Sequence, residues 1–117
     1  MPNLTIIHNP RCSKSRQTLQ LLQDKGFAPE IVEYLKTPLS GAQIAQIVTQ
    51  LGFDSARQLL RKGEDAFKEK GLNNPQLTEQ QIIQAMVEAP KLIERPIVIN
   101  QDKAAIGRPP ESVLDIL

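Results

Sequence analysis

The chain has 117 residues, 40% of them hydrophobic and 23% charged, and a net charge of only +1. That length suits one domain around one core, and the near-neutral charge removes any global electrostatic case for nucleic acid. Four aromatics (Phe27, Tyr34, Phe53 and Phe67) are too few for a base-stacking platform.

Several features bound where the chain works. No apolar run reaches the length of a membrane span, and the N-terminus lacks the basic-then-apolar layout of a leader. There is no Cys/His cluster for a metal. One cysteine, Cys12, excludes an internal disulfide and fits a reducing compartment. The expectation is a cytoplasmic protein with no membrane partner, no nucleic-acid partner, no metal and no bound cofactor.

In chain order, Leu4 to His8 reads as a short buried strand, followed by an Asn9-Pro10 turn. An amphipathic helix is expected from about Ser13 to Lys25, with Leu19, Leu22 and Leu21 inward and Gly26 after its end. Cys12 then stands at the helix start, near free N–H groups and the positive end of the helix dipole. Arg11, Lys14 and Arg16 add positive charge. Such surroundings favour thiolate over thiol and suit a reactive cysteine; a buried structural cysteine would keep more apolar company.

Glu30 to Leu35 is expected as a second strand, entered through Pro29, so the first forty residues read β-α-β with parallel strands. A helical middle follows, an insert over about residues 40–89 of a single domain, 1–117. Ser40 with Gln43, and Thr78 with Gln81, match the capping box. Helices are expected after each, with short ones over Ser55 to Arg61 and Asp65 to Lys70. Pro96 to Asn100 reads as a strand, and Lys103 to Gly107 as its hairpin partner through Gln101-Asp102. Pro109-Pro110 opens a last helix, Glu111 to Leu117.

The order β-α-β, helical insert, β-β-α resembles the thioredoxin/glutaredoxin frame, with a mixed four-stranded sheet. Within it, His8-Asn9-Pro10-Arg11-Cys12-Ser13-Lys14-Ser15-Arg16, Leu59-Leu60-Arg61-Lys62, Glu94-Arg95-Pro96-Ile97-Val98 and Gly107-Arg108-Pro109-Pro110-Glu111 occur in the expected sequence. Together these resemble the glutaredoxin-dependent arsenate reductase family over essentially the whole chain. The resemblance implies that Cys12 attacks arsenate and that Arg61, Arg95 and Arg108 hold the oxyanion. Forked guanidinium donors suit a tetrahedral oxyanion, and fixed donors stabilise the charge built during attack.

Supporting roles fall to His8, Ser15 and Pro96. His8 either tunes the thiol or caps the strand end. Ser15 either donates to the thiolate or is an ordinary first-turn serine. From the thioredoxin frame, the Arg95–Pro96 bond is expected to be cis. The resemblance also implies glutathione as co-substrate and glutaredoxin as protein partner. A resolving cysteine within the chain is impossible, and residue 15 is Ser, so outside thiols must complete the two-electron reduction.

Rival readings differ in class. A Cys-(x)5-Arg phosphate loop would need arginine where Thr18 stands, and a dithiol enzyme would need a second cysteine. An Spx-like regulatory module shares the frame, but its redox-sensing members use a Cys-x-x-Cys switch that this chain lacks. A reductase acting on another oxyanion, or on a glutathionylated substrate, would use the same residues.

Overall fold

The computed structural model describes residues 4–117. They fall into two units, one formed by the described residues up to 37 with 95–117 and one by residues 38–94. The second spans residues 38–94, where the sequence predicts a helical insert over about residues 40–89 of a single domain.

The sheet unit holds four strands: β1 (Leu4–His8), β2 (Glu30–Glu33), β3 (Ile97–Asn100) and β4 (Lys103–Ile106). Their order is β2-β1-β3-β4. β1 lies parallel to β2, pairing Ile6 with Ile31, and antiparallel to β3, pairing Ile6 with Val98. β3 and β4 form an antiparallel hairpin closed at Asn100 and Lys103, with Gln101 left-handed at φ 58°. This is the mixed sheet and the β-α-β…β-β-α frame expected from sequence. A central strand flanked on both sides must be apolar almost throughout, which is why β1 reads Leu-Thr-Ile-Ile.

Helix α1 (Ser13–Asp24) crosses between β1 and β2. Its Leu22 packs with Leu4, Ile6, Val98 and Val113 in one core cluster, and Leu19 and Leu21 lie half-buried against it. Leu22 is thus the helix's buried leucine, and the deeper flank is polar: Ser15 and Thr18 are fully buried. Gly26, at φ +89°, ends the helix, with its N–H donating to Gln23 O and the Phe27 N–H donating to Leu22 O. That pairing is the Schellman stop.

Two ends differ from expectation. β2 stops at Glu33, because the Lys36 and Thr37 amides fold back onto the Glu33 carbonyl at 2.9 Å. The C-terminal segment is a 3-10 helix, Pro110–Ile116, rather than an α-helix. Proline at the first position removes one amide donor, and short segments at chain ends commonly take the tighter 3-10 form.

The helical unit contains α2 (Gly41–Gln50), a 3-10 turn (Ala56–Leu59), α3 (Asp65–Glu69) and α4 (Glu79–Glu88). Both capping boxes form. Ser40 Oγ accepts from the Gln43 amide at 3.1 Å, and Thr78 Oγ1 accepts from the Gln81 amide at 3.2 Å. Glu79, in the first turn of α4, accepts from the Ser55 hydroxyl and from the Ala56 amide, tying the 3-10 turn to α4. Those bonds, the hydroxyl first, hold the Glu79 carboxyl below its ordinary pKa, and the Arg57 charge adds to them.

Arg57 carries a role that the sequence did not suggest. Its guanidinium donates to the carbonyls of Leu72 at 3.1 Å, Asn74 at 2.7 Å and Leu77 at 3.3 Å. One planar fork thereby satisfies the acceptors of a loop that has no ladder of its own. Among the described residues, no helix is long and apolar enough to cross a membrane.

Candidate functional site

Cys12 is the N-cap residue of α1, with extended backbone (φ −93°, ψ 123°) and no capping bond from its side chain. A tight turn delivers it there. The Cys12 amide donates to Asn9 O at 3.0 Å, and Asn9 Oδ1 accepts from the Arg11 amide at 3.0 Å. The Asn-Pro pair was the signal for this turn, though not for the side chain's part in it. The sulfur is therefore half-buried at the positive end of the helix and is not committed as a cap.

Arg108 meets it from the far end of the chain. Its Nη2 donates to Cys12 Sγ at 3.5 Å, while its Nε donates to the Arg95 carbonyl at 2.8 Å. One guanidinium thus spans the Cys12 sulfur and the backbone just before Pro96. The Arg95–Pro96 peptide is cis, as expected, and the Arg108–Pro109 peptide is cis as well. The second was not anticipated.

Gly107 makes this approach possible. Its amide donates to Pro96 O at 2.9 Å. A Cβ at 107 would lie 2.8 Å from Pro96 Cγ and would collide with Thr18 Oγ1. Thr18 is itself pinned, its hydroxyl donating to Lys14 O at 2.8 Å. Only glycine lets the β4 end pass between α1 and Pro96 and present Arg108 to the sulfur. Gly107 and Thr18 are positioning residues that sequence reading did not single out, because their role is a close approach across the fold.

His8 and Ser15 resolve into a pair. Ser15 Oγ and His8 Nδ1 lie 2.6 Å apart, and Ser15 Oγ also accepts from the Asn9 amide at 3.0 Å. One hydrogen is shared between Ser15 Oγ and His8 Nδ1, and the tautomer of the ring sets which of the two donates it. Burial pushes the His8 pKa below its ordinary value, against the pull of Glu33 and with the push of Arg16. A neutral ring brings no positive charge to the loop. The Ser15 hydroxyl serves His8 and the turn, and together they brace the backbone that carries Cys12.

Arg95 is half-buried at the start of the segment leading into β3, in the same unit as Cys12 and Arg108. Arg61 belongs to the helical unit. There its amide donates to Leu92 O at 2.7 Å, and its guanidinium sits 3.5 Å from both Glu64 and Glu94. Among the described residues, no group of three or more His, Cys, Asp and Glu side chains is placed to hold a metal ion.

A nucleophilic sulfur with a fixed guanidinium on it can attack an electrophilic centre and hold the oxygens displaced around it. Comparison with known proteins points the same way. The model of the ArsC family matches residues 7–116. The chain is 54% identical over 112 residues to the uncharacterized protein YfgD of Escherichia coli K12, covering 96% of this chain and 94% of that one. It is 46% identical over 117 residues to an arsenate reductase of Neisseria meningitidis, over the full length of both. Among solved structures it is similar to an arsenate reductase from Vibrio cholerae, with a TM-score of 0.97, 46% identity, and 99% and 98% of the two chains covered.

Proposed function

The chain belongs to the ArsC family, and on that premise we propose that it is an arsenate reductase that works from the cytoplasm with glutathione and glutaredoxin as electron donors. The observation that carries the reading is the Arg108 guanidinium on the Cys12 sulfur at 3.5 Å. A fork of fixed donors suits both a thiolate and the oxyanion it attacks.

In the proposed sequence, the Cys12 thiolate attacks arsenic and one arsenate oxygen leaves as water after taking up protons. An As–S bond replaces an As–O bond, and arsenic stays As(V). Arg95 and Arg108 neutralise the oxygens that remain, and Arg61 joins them on the family resemblance. Glutathione next displaces a second oxygen as water. A glutaredoxin thiolate then attacks the glutathione sulfur; the pair of the As–S bond passes to arsenic, giving As(III) and a mixed disulfide. Two thiols are oxidised and arsenic gains two electrons. Water releases arsenite from Cys12. The need for outside thiols follows from the presence of a single cysteine in the chain.

The test is arsenate-dependent NADPH oxidation, coupled through glutathione reductase, with glutathione alone, thioredoxin alone, and glutathione plus glutaredoxin. Only the last should sustain many cycles, and Cys12→Ser should abolish them while remaining folded. Efficient turnover with thioredoxin and no glutathione would sink the scheme. A wild-type protein that turns over no arsenate under any donor would sink the function itself.

A further inference from the structure

The turn that follows β2 and the loop that precedes Cys12 enclose a cleft of about 240 Å³. Pro10 and Leu35 supply apolar wall, Arg11 and Lys36 are cationic, and Glu33 is the one carboxylate lining it. Leu35 is 40% exposed although large and apolar. Lys36 lies 3.5 Å from Glu33, a loose pair on an exposed side chain. The Arg11 side chain is exposed and, among the described residues, has no hydrogen-bond or ion-pair partner; only its amide is engaged, by Asn9. The cleft therefore carries two positive charges and one negative around a small apolar surface, and one of its walls is the residue next to the nucleophile.

We infer that this cleft is the subsite for the thiol co-substrate, a small peptide thiol that carries carboxylates at both ends and one ammonium group. Glutathione is such a molecule: at neutral pH its carboxylates are ionised and its amine is protonated. Its charges mirror those of the cleft, carboxylates toward Arg11 and Lys36 and ammonium toward Glu33. The apolar wall takes the methylene chain, as such sites usually combine apolar lining with a few placed polar groups. Seated there, the thiol lies against the loop of Cys12. Its sulfur displaces an arsenic-bound oxygen as water, with an As–S bond formed, an As–O bond broken and the thiol proton leaving in the water.

This inference rests on the reading of the chain as a thiol-dependent arsenate reductase, but its test does not need turnover. S-methylglutathione, which cannot react, is titrated into the 15N-labelled full chain. The expected result is amide shifts centred on Arg11, Leu35 and Lys36 with a dissociation constant in the millimolar range, about 1–10 mM. In Arg11→Glu/Lys36→Glu the shifts should be lost up to about ten times that concentration, with an unchanged amide spectrum elsewhere reporting an intact fold. Glutarate, an anion without ammonium or peptide, should bind several-fold more weakly. Shifts centred elsewhere, no binding, equal binding by glutarate, or full binding by the double variant would each overturn the inference. Kinetics add an independent reading: Arg11→Gln should raise the KM for glutathione about threefold or more and leave that for arsenate within about twofold. Binding in the cleft without any arsenate turnover would retain the subsite and refute the reaction.

Discussion

Arg108 and Arg61 are the same residue type in opposite surroundings. In the sheet unit, Arg108 is exposed and gives one donor to a backbone carbonyl and another to the Cys12 sulfur. In the helical unit, Arg61 is partly buried between two carboxylates, Glu64 and Glu94. The two units are built differently for the same reason. The sheet unit brings distant segments together at close approach, so its loops converge on the Cys12 sulfur. The helical unit is held by local caps and by a carbonyl clamp at Arg57, which order its loops. A charge aimed at sulfur is available for chemistry; a charge flanked by carboxylates is largely offset where it stands.

The largest way to break the contrast is at Gly107. A Cβ there meets Pro96 and Thr18 at distances real side chains do not tolerate. Gly107→Ala should cost about 3 kcal/mol, in the range of overpacked sites, and should also displace Arg108. Urea unfolding and arsenate kinetics check both parts. Wild-type stability would remove the close approach from the account.

Next comes the clamp of the helical unit. Arg57→Ala removes the guanidinium donor from the carbonyls of Leu72, Asn74 and Leu77, of which Asn74 keeps the Leu77 amide. A loss of about 2 kcal/mol is expected, since hydrogen bonds to charged groups contribute roughly 1.5–3 kcal/mol each and water replaces some of them. Hydrogen exchange should quicken over residues 71–77 and stay unchanged in the sheet unit. Equal acceleration in both units would mean that the clamp is not local.

Lysine substitution sharpens the comparison itself. A lysine at 108 keeps the charge but cannot reach the sulfur and the Arg95 carbonyl as one planar fork does. Arg61→Lys, Arg95→Lys and Arg108→Lys should each lower kcat/KM for arsenate about tenfold or more, close to 1.4 kcal/mol of transition-state stabilisation. If Arg61→Lys alone behaves as wild type, Arg61 serves the helical unit and not the oxyanion.

The smallest effect is a pH dependence from His8. Burial lowers its pKa from the ordinary 6.5, so the folded chain resists a proton that the unfolded chain accepts. Stability therefore falls as pH drops below about 6.5, until the folded pKa is reached, and above 6.5 this contribution vanishes. In thermal melts from pH 8 to pH 5, the wild type should lose Tm more steeply than His8→Gln. Parallel profiles would show that His8 does not carry the dependence.

Much of this protein was legible without coordinates because the relevant physics is local. Helix spacing, the Ser40 and Thr78 capping boxes and the Gly26 stop all act over three to five residues. The crossover β-α-β follows from strand and helix lengths, and Cys12 at a helix start follows from its neighbours in the chain. The four ordered motifs supplied the family and, with it, the three arginines. What required the tertiary structure is every pairing across the sheet. Arg108 reaches Cys12 across 96 positions of chain. Ser15 was expected either to donate to the thiolate or to be an ordinary first-turn serine, and the structure instead pairs its hydroxyl with His8 and the Asn9 amide. Gly107, expected as the end of the hairpin strand, shows its role only where Pro96 and Thr18 close around it. Arg57, inside the expected short helix Ser55 to Arg61, shows its role only where the loop carbonyls gather on its fork. Such contacts depend on strand register and loop path, which no window of the sequence contains, because register is set by how whole strands bury their faces together.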